Sequence, residues 1–155
     1  MKKRFVVMGI GNPIMRDDGI ALSVARHLKP KMENRDMEVV IGETDVSYCV
    51  DSLKEQDFLV VMDAMYTGEE PGRVHRIPLR EAAACRRRPF FAHDASVLDA
   101  IAAEFPDIRG VIIGIEPAVV GIGFELSNSL KIKFERICGD VERMINEIAE
   151  EEKDA

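Results

Sequence analysis

The chain is short of positive charge, short of cysteine, and contains no long apolar run. Each shortage excludes something. Acidic residues outnumber basic ones, for a formal net charge of −7. Non-specific nucleic-acid binding needs the opposite balance, because cationic side chains must displace counterions from phosphate. The three cysteines, Cys49, Cys85 and Cys138, are an odd number at wide spacing. That pattern fits neither a disulfide framework nor a zinc knuckle. Met1-Lys2-Lys3-Arg4 precedes an apolar run, but Phe5 to Ile10 stops at Gly11-Asn12-Pro13. The run is too short for an export signal core or a membrane span. A cytoplasmic protein with no membrane partner and no nucleic-acid partner is the expectation. Internal repeats and low-complexity linkers are also missing. Residues 1–155 are therefore expected to form a single domain, with 46% hydrophobic residues to build one core.

What is present alternates between strand and helix signals. Phe5-Val6-Val7-Met8 reads as a buried strand entering a tight Gly-rich loop. Ile20, Ala21, Val24, Ala25 and Leu28 fall at helical spacing, with Asp17 or Asp18 as cap and Pro30 as terminator. Glu38 to Ile41 predicts a second strand, Tyr48 to Lys54 a short helix, and Phe58 to Met62 a third strand ending on Asp63. Arg73 to Ile77 alternates like a strand with one wetter face. A helix carrying Val97, Leu98, Ile101, Ala102 and Phe105 follows, then a strand from Val111 to Ile115. Leu130, Phe134, Ile137, Val141, Met144, Ile145 and Ile148 mark a last amphipathic helix, and Glu150 to Asp154 read as a frayed tail. Uniformly apolar strands separated by helices predict an α/β fold. Its form is a three-layer α/β/α sandwich around a twisted, mainly parallel five-stranded sheet. Functional groups in such sheets gather beyond the carboxyl ends of the strands.

Several familiar chemistries find no footing. Gly9-Ile10-Gly11 begins like a dinucleotide fingerprint, but Ile14 stands where the third glycine belongs. The second strand also ends without the acid that would hold a ribose. No nucleotide is expected. There is no Gly-x-Ser-x-Gly elbow, no cysteine with a histidine nearby in sequence, and no His-Glu-x-x-His. What remains is a scattered set of acids and one imidazole. Asp17-Asp18 sits at a strand-to-helix mouth, where capping accounts for one carboxylate better than for two. Asp63 ends an apolar strand, where a carboxylate must be paired, hydrogen-bonded, solvated in a cleft or bound to a metal. His93 lies just before a helix, whereas His27 reads as a partner for a helix C-terminus and His75 as a solvent-facing strand residue. Asp18, Asp63 and His93 form an open, borderline-hard ligand set suited to Zn²⁺, Ni²⁺ or Mn²⁺.

The same residues carry a resemblance. Gly9-Ile10-Gly11-Asn12-Pro13-Ile14-Met15-Arg16-Asp17-Asp18-Gly19 resembles the N-terminal signature of the nickel–iron hydrogenase maturation endopeptidases. Met62-Asp63-Ala64 followed by Pro71-Gly72, then His93 before an amphipathic helix, then Gly114-Ile115-Glu116-Pro117 with Gly121, are similar to that family's later motifs, in order. The resemblance implies a twisted five-stranded sheet between helices. It implies that Asp18, Asp63 and His93 are the metal-binding and catalytic residues, and that the metal is nickel carried by the substrate. It also implies the partner: a hydrogenase large-subunit precursor that loses its C-terminal extension. Asn12 and Glu43 are the expected substrate-binding residues, and the chain is expected to be a monomer or weak dimer. Two places depart from the family pattern. Ile41-Gly42-Glu43-Thr44 stands where an aspartate commonly ends the second strand, with Glu43 as its shifted replacement. Phe91-Ala92-His93-Asp94-Ala95 lacks the usual flanking residues of the histidine.

The implied chemistry is peptide hydrolysis, in which a metal polarises the scissile carbonyl or activates a water. Asp17 or Glu43 is the spare carboxylate that would handle a proton. Arg86-Arg87-Arg88 reads as a solvated loop able to steer an acidic region of the precursor. The rival reading is a metal-checking chaperone that docks on a hydrogenase subunit without cutting. The retention of all three ligand positions favours the enzyme.

Overall fold

A computed structural model describes residues 3–81 and 95–155. Among them are β1 (Phe5–Ile10), α1 (Ile20–Glu33), β2 (Met37–Glu43), α2 (Val46–Asp51), β3 (Phe58–Ala64), β4 (Val74–Pro78), α3 (Ala95–Glu104), β5 (Arg109–Ile115) and α4 (Asn128–Lys153). One five-stranded sheet holds them in the order β2-β1-β3-β5-β4. Pairings among β2, β1, β3 and β5 are parallel, and β4 runs antiparallel at the edge beside β5. The expected three-layer sandwich is therefore the observed fold.

Strand alternation sorts the core into two layers. Val7, Val39, Val60, Met62, Val111, Ile113 and Ile115 face α1 and α4, together with Val24, Leu28, Ile137, Val141 and Ile145. Val6, Met8, Ile10, Leu59, Val61 and Ile112 face α2 and α3, with Cys49, Val97 and Ile101. Burying each such side chain contributes about 1.5–3 kcal/mol, so the two layers carry most of the stability. The close approach of α1 to β1 depends on Gly9. A Cβ there would sit 3.1 Å from both the Ala21 carbonyl oxygen and the Ala25 Cβ.

Four local expectations need correction. The first is Pro30, which does not end the helix. α1 continues to Glu33, with the Asn34 N–H donating to the Pro30 carbonyl at 3.2 Å. Proline removes only its own donor, and buried Met32 anchors the remaining turn. The second is the α1 cap: Gly19 occupies that position with no side-chain hydrogen bond, and a 3₁₀ turn, Arg16–Gly19, precedes it. Asp17 and Asp18 are thus freed for other contacts. The third is the short helix, which starts earlier, at Val46, because the Asp45 carboxylate accepts from the Tyr48 N–H at 3.0 Å. Finally, the acidic tail is not frayed. α4 runs to Lys153, and Glu152 pairs with Lys3 at 2.7 Å and Arg109 at 3.1 Å, while Glu151 pairs with Arg76. Exposed pairs of this kind are individually weak, but together they pin the last turns to the sheet.

Candidate functional site at the carboxyl rim

In the strand order β2-β1-β3-β5-β4, the chain leaves β1 toward one side of the sheet and later resumes on the other. The switch point lies between β1 and β3, where open α/β sheets bind ligands beyond the strand ends. Asp18 belongs to the 3₁₀ turn that follows β1, and this turn packs on β3. Asp63 is the penultimate residue of β3. Both are buried, at 1% and 0% exposure. Two of the three predicted ligands thus flank the switch point. Pleat alternation puts Asp63 on the same side as Leu59 and Val61, the side covered by α3. His93 lies outside the described residues, as do Cys85 and Arg86-Arg87-Arg88. Among the described residues, no group of three or more His, Cys, Asp or Glu side chains is placed to hold a metal ion.

The Asp18 carboxylate is held at both oxygens. Oδ2 accepts from the Asn12 N–H at 3.0 Å, and Oδ1 accepts from the Tyr66 hydroxyl at 3.3 Å. The Asn12 side chain turns back on its own loop, accepting from the Ile14 N–H at 3.1 Å. Gly11 makes this geometry possible. Its φ is +146°, and a Cβ there would collide with the Asp18 carbonyl oxygen. Beside it, Glu43 ends β2 in register with Ile10, and its carbonyl accepts from the Gly11 N–H at 3.1 Å. The Glu43 carboxylate is half-exposed and lies 3.4 Å from Arg26. Arg16 and Glu43 both hold left-handed backbone, with φ of 51° and 53°. Such conformations cost about 1 kcal/mol or more apiece.

Asp17 has a different task. Its carboxylate accepts four hydrogen bonds at 2.7–2.9 Å, from the N–H groups of Ala118, Val119 and Ser127 and from the Ser127 hydroxyl. Both oxygens are committed, so Asp17 is a structural anchor and, of the two carboxylates named for proton handling, the less available one. Its backbone N–H also donates to the Val119 carbonyl. Two more backbone bonds, Arg16 N–H to the Gly123 carbonyl and Gly123 N–H to the Ile14 carbonyl, weave the two loops together.

Sequence reasoning passed over Glu116 as a residue with a task of its own. It follows β5 and is 3% exposed. Its carboxylate accepts from the Thr67 N–H at 2.9 Å, from the Glu69 N–H at 3.1 Å and from the Thr67 hydroxyl. It thereby fixes the loop that carries Tyr66. The signal that singled out Asp63, an apolar strand running into a carboxylate, holds equally for Ile115-Glu116. Tyr66 gave no comparable signal, since only the fold brings it to Asp18. The other histidines lie elsewhere. His27 packs edge-on against Phe134, with ring centroids 5.7 Å apart, and His75 sits in edge strand β4, 3.5 Å from the Thr67 hydroxyl. Burial pushes the Cys138 thiol up to about 11, which leaves it protonated and inert as a nucleophile near neutral pH.

Comparison with known proteins agrees with the resemblance in the sequence. Residues 22–150 match the profile of HycI, a hydrogenase maturation protease family. A Methanocaldococcus jannaschii protein classed with the hydrogenase maturation proteases is 27% identical over 122 residues, covering 77% of this chain and 75% of its own. The fold matches the [NiFe] hydrogenase maturation protease HybD from Thermococcus kodakarensis with a TM-score of 0.73 at 23% identity, covering 91% of this chain and 98% of that one. It matches the hydrogenase maturating endopeptidase HybD from E. coli with a TM-score of 0.74 at 20% identity, covering 93% of each.

Proposed function

From the premise that this chain belongs to the hydrogenase maturation protease family, we propose that it is the endopeptidase that removes the C-terminal extension of a nickel-loaded hydrogenase large-subunit precursor. The observation that carries this reading is the pair of buried carboxylates, Asp18 and Asp63, flanking the switch point between β1 and β3. The donor set fits a divalent cation. Among the described residues Asp18 has no ion-pair partner, and its Oδ1 is held by a long phenol contact that an incoming cation can displace. His93 is the proposed third ligand, two residues before α3 begins over the face toward which Asp63 points.

Nickel in this reading arrives as part of the substrate. Bound beside the scissile bond, it supplies Lewis-acid polarisation of the carbonyl. Asp18, Asp63 and His93 recognise it, and the backbone clamp from Asn12 keeps Asp18 oriented before the precursor arrives. Glu43, half-exposed on the same rim, is the proposed residue for substrate contact and proton transfer. Hydrolysis adds water across one peptide bond, leaving a new carboxylate on the large subunit and an amine on the released peptide.

The test is incubation with nickel-loaded precursor, read by intact mass. Loss of the C-terminal peptide by the wild type, and none with Asp18→Asn, Asp63→Asn or His93→Ala, is the expected result. A stable complex whose precursor keeps its full mass would replace the enzyme with the metal-checking chaperone. Crystals soaked in millimolar Ni²⁺ should show anomalous density touching Asp18, Asp63 and His93. Density elsewhere would remove the ligand assignment.

A further inference from the structure

Ile122 and Phe124 are among the most exposed large apolar side chains of the described residues, at 92% and 84%. Ile14 and Val119 are also uncovered, at 46% and 41%. All four belong to the two loops that backbone hydrogen bonds and the Asp17 carboxylate weave together. They are therefore displayed on a braced platform. The bonds joining Ile14 and Arg16 to Gly123 fix the height of Ile122 and Phe124 relative to Asp18, only four residues beyond Ile14.

Resting on the function proposed above, the geometry points to this platform as the docking surface for an apolar segment of the precursor that flanks its metal centre. Three features select that occupant. The platform is continuous with the site: the 3₁₀ turn that bears Asp18 also carries Asp17, which holds the second loop. Its electrostatics suit a substrate presenting an apolar stretch beside a cation, because among the described residues Asp18 and Glu116 are served by neutral donors. Its size suits a contact made and broken in each turnover. Four such side chains expose on the order of 500 Å², within the range of functional patches on monomers. A lasting dimer needs about 800 Å² from each partner.

The decisive experiment measures binding separately from cleavage. Each nickel-loaded large-subunit precursor of the same organism is titrated against wild type, Ile122→Ser/Phe124→Ser, and Ile122→Leu/Phe124→Leu. The serine pair should weaken Kd roughly 10- to 100-fold, as loss of two central apolar anchors does. The leucine pair should stay within about threefold of wild type, because apolar area is kept. The serine pair should retain the wild-type melting temperature, since neither side chain is packed in the core. Its loss of affinity should also persist from low to high salt, because apolar contact is not screened. Serine variants that bind within about twofold of wild type would overturn the proposal, as would failure of every precursor to bind the wild type. Sedimentation should show a monomer, and a wild-type dimer dispersed by the serine pair would assign the face to a second copy instead. Precursor that binds through the platform but is never shortened would sink the proteolytic reading while leaving the docking surface in place.

Discussion

The two ends of the sheet treat negative charge in opposite ways. At the amino rim, Asp57 is buried and receives a two-pronged guanidinium contact from Arg4 at 2.6 and 2.9 Å. Arg4 also reaches Glu38 at 2.6 Å, and both carboxylates push the guanidinium pKa upward, led by the Asp57 hydrogen bond. At the carboxyl rim, Asp17, Asp18 and Glu116 are equally buried but, among the described residues, receive neutral backbone N–H and hydroxyl donors in place of a cation. The amino rim is neutralised, so its charges contribute to stability. The carboxyl rim leaves its buried carboxylates without a cationic partner among the described residues, an arrangement that suits the cation proposed for it.

Substitutions can break this contrast. Asp17→Ala should have the largest effect on the fold. It strands the N–H groups of Ala118, Val119 and Ser127, the last of them buried, together with the Ser127 hydroxyl, and should cost about 3–5 kcal/mol in urea unfolding. Asp18→Asn should do the reverse, cutting precursor processing at least about 100-fold while changing stability by less than about 1 kcal/mol. Arg4→Met should lose about 2 kcal/mol by leaving Asp57 without its cation, with processing at 25 °C preserved. Equal damage to processing from Arg4→Met and Asp18→Asn would erase the distinction between the rims. Tyr66→Phe should lower processing by less than about tenfold, since its 3.3 Å contact is long. The smallest effect concerns Cys138. Its thiol is raised in the fold from 9.0 to about 11. Its contribution to stability is therefore complete below pH 9 and is lost as pH climbs through 11. Alkylation at pH 8 should leave Cys138 unmodified in the native protein and label it after unfolding.

The layers were legible because strand and helix periods in this chain are clean. Phe58 to Met62 and Val111 to Ile115 are apolar at every position, as strands buried on both faces must be. Asp63 was placed for a related reason, since a carboxylate at the end of an apolar strand has few places to go, and Asp18 stood out as half of an aspartate pair at a strand-to-helix mouth. Asp17 was half-legible. The sequence showed one aspartate too many for a cap, but its partners lie more than 100 positions away and no local spacing reveals them. Tyr66 and the Ile122–Phe124 platform were hidden for the same reason, since their meaning comes from neighbours that only the fold supplies. Pro30 misled because local propensity was outweighed by the burial of Met32.

The Asp17 anchor also sets a schedule. Ser127, which gives it two of its hydrogen bonds, lies 110 positions downstream. The bond that braces the Asp18 turn can close only after nearly the whole chain has been made. During synthesis, β1 and α1 emerge long before that partner, and local contacts form ahead of such distant ones. The growing polypeptide thus carries its acidic residues unassembled on the ribosome. A chain truncated before Ser127 would retain the proposed metal ligands but lack the frame that aims Asp18, so partial products of translation would be idle as peptidases.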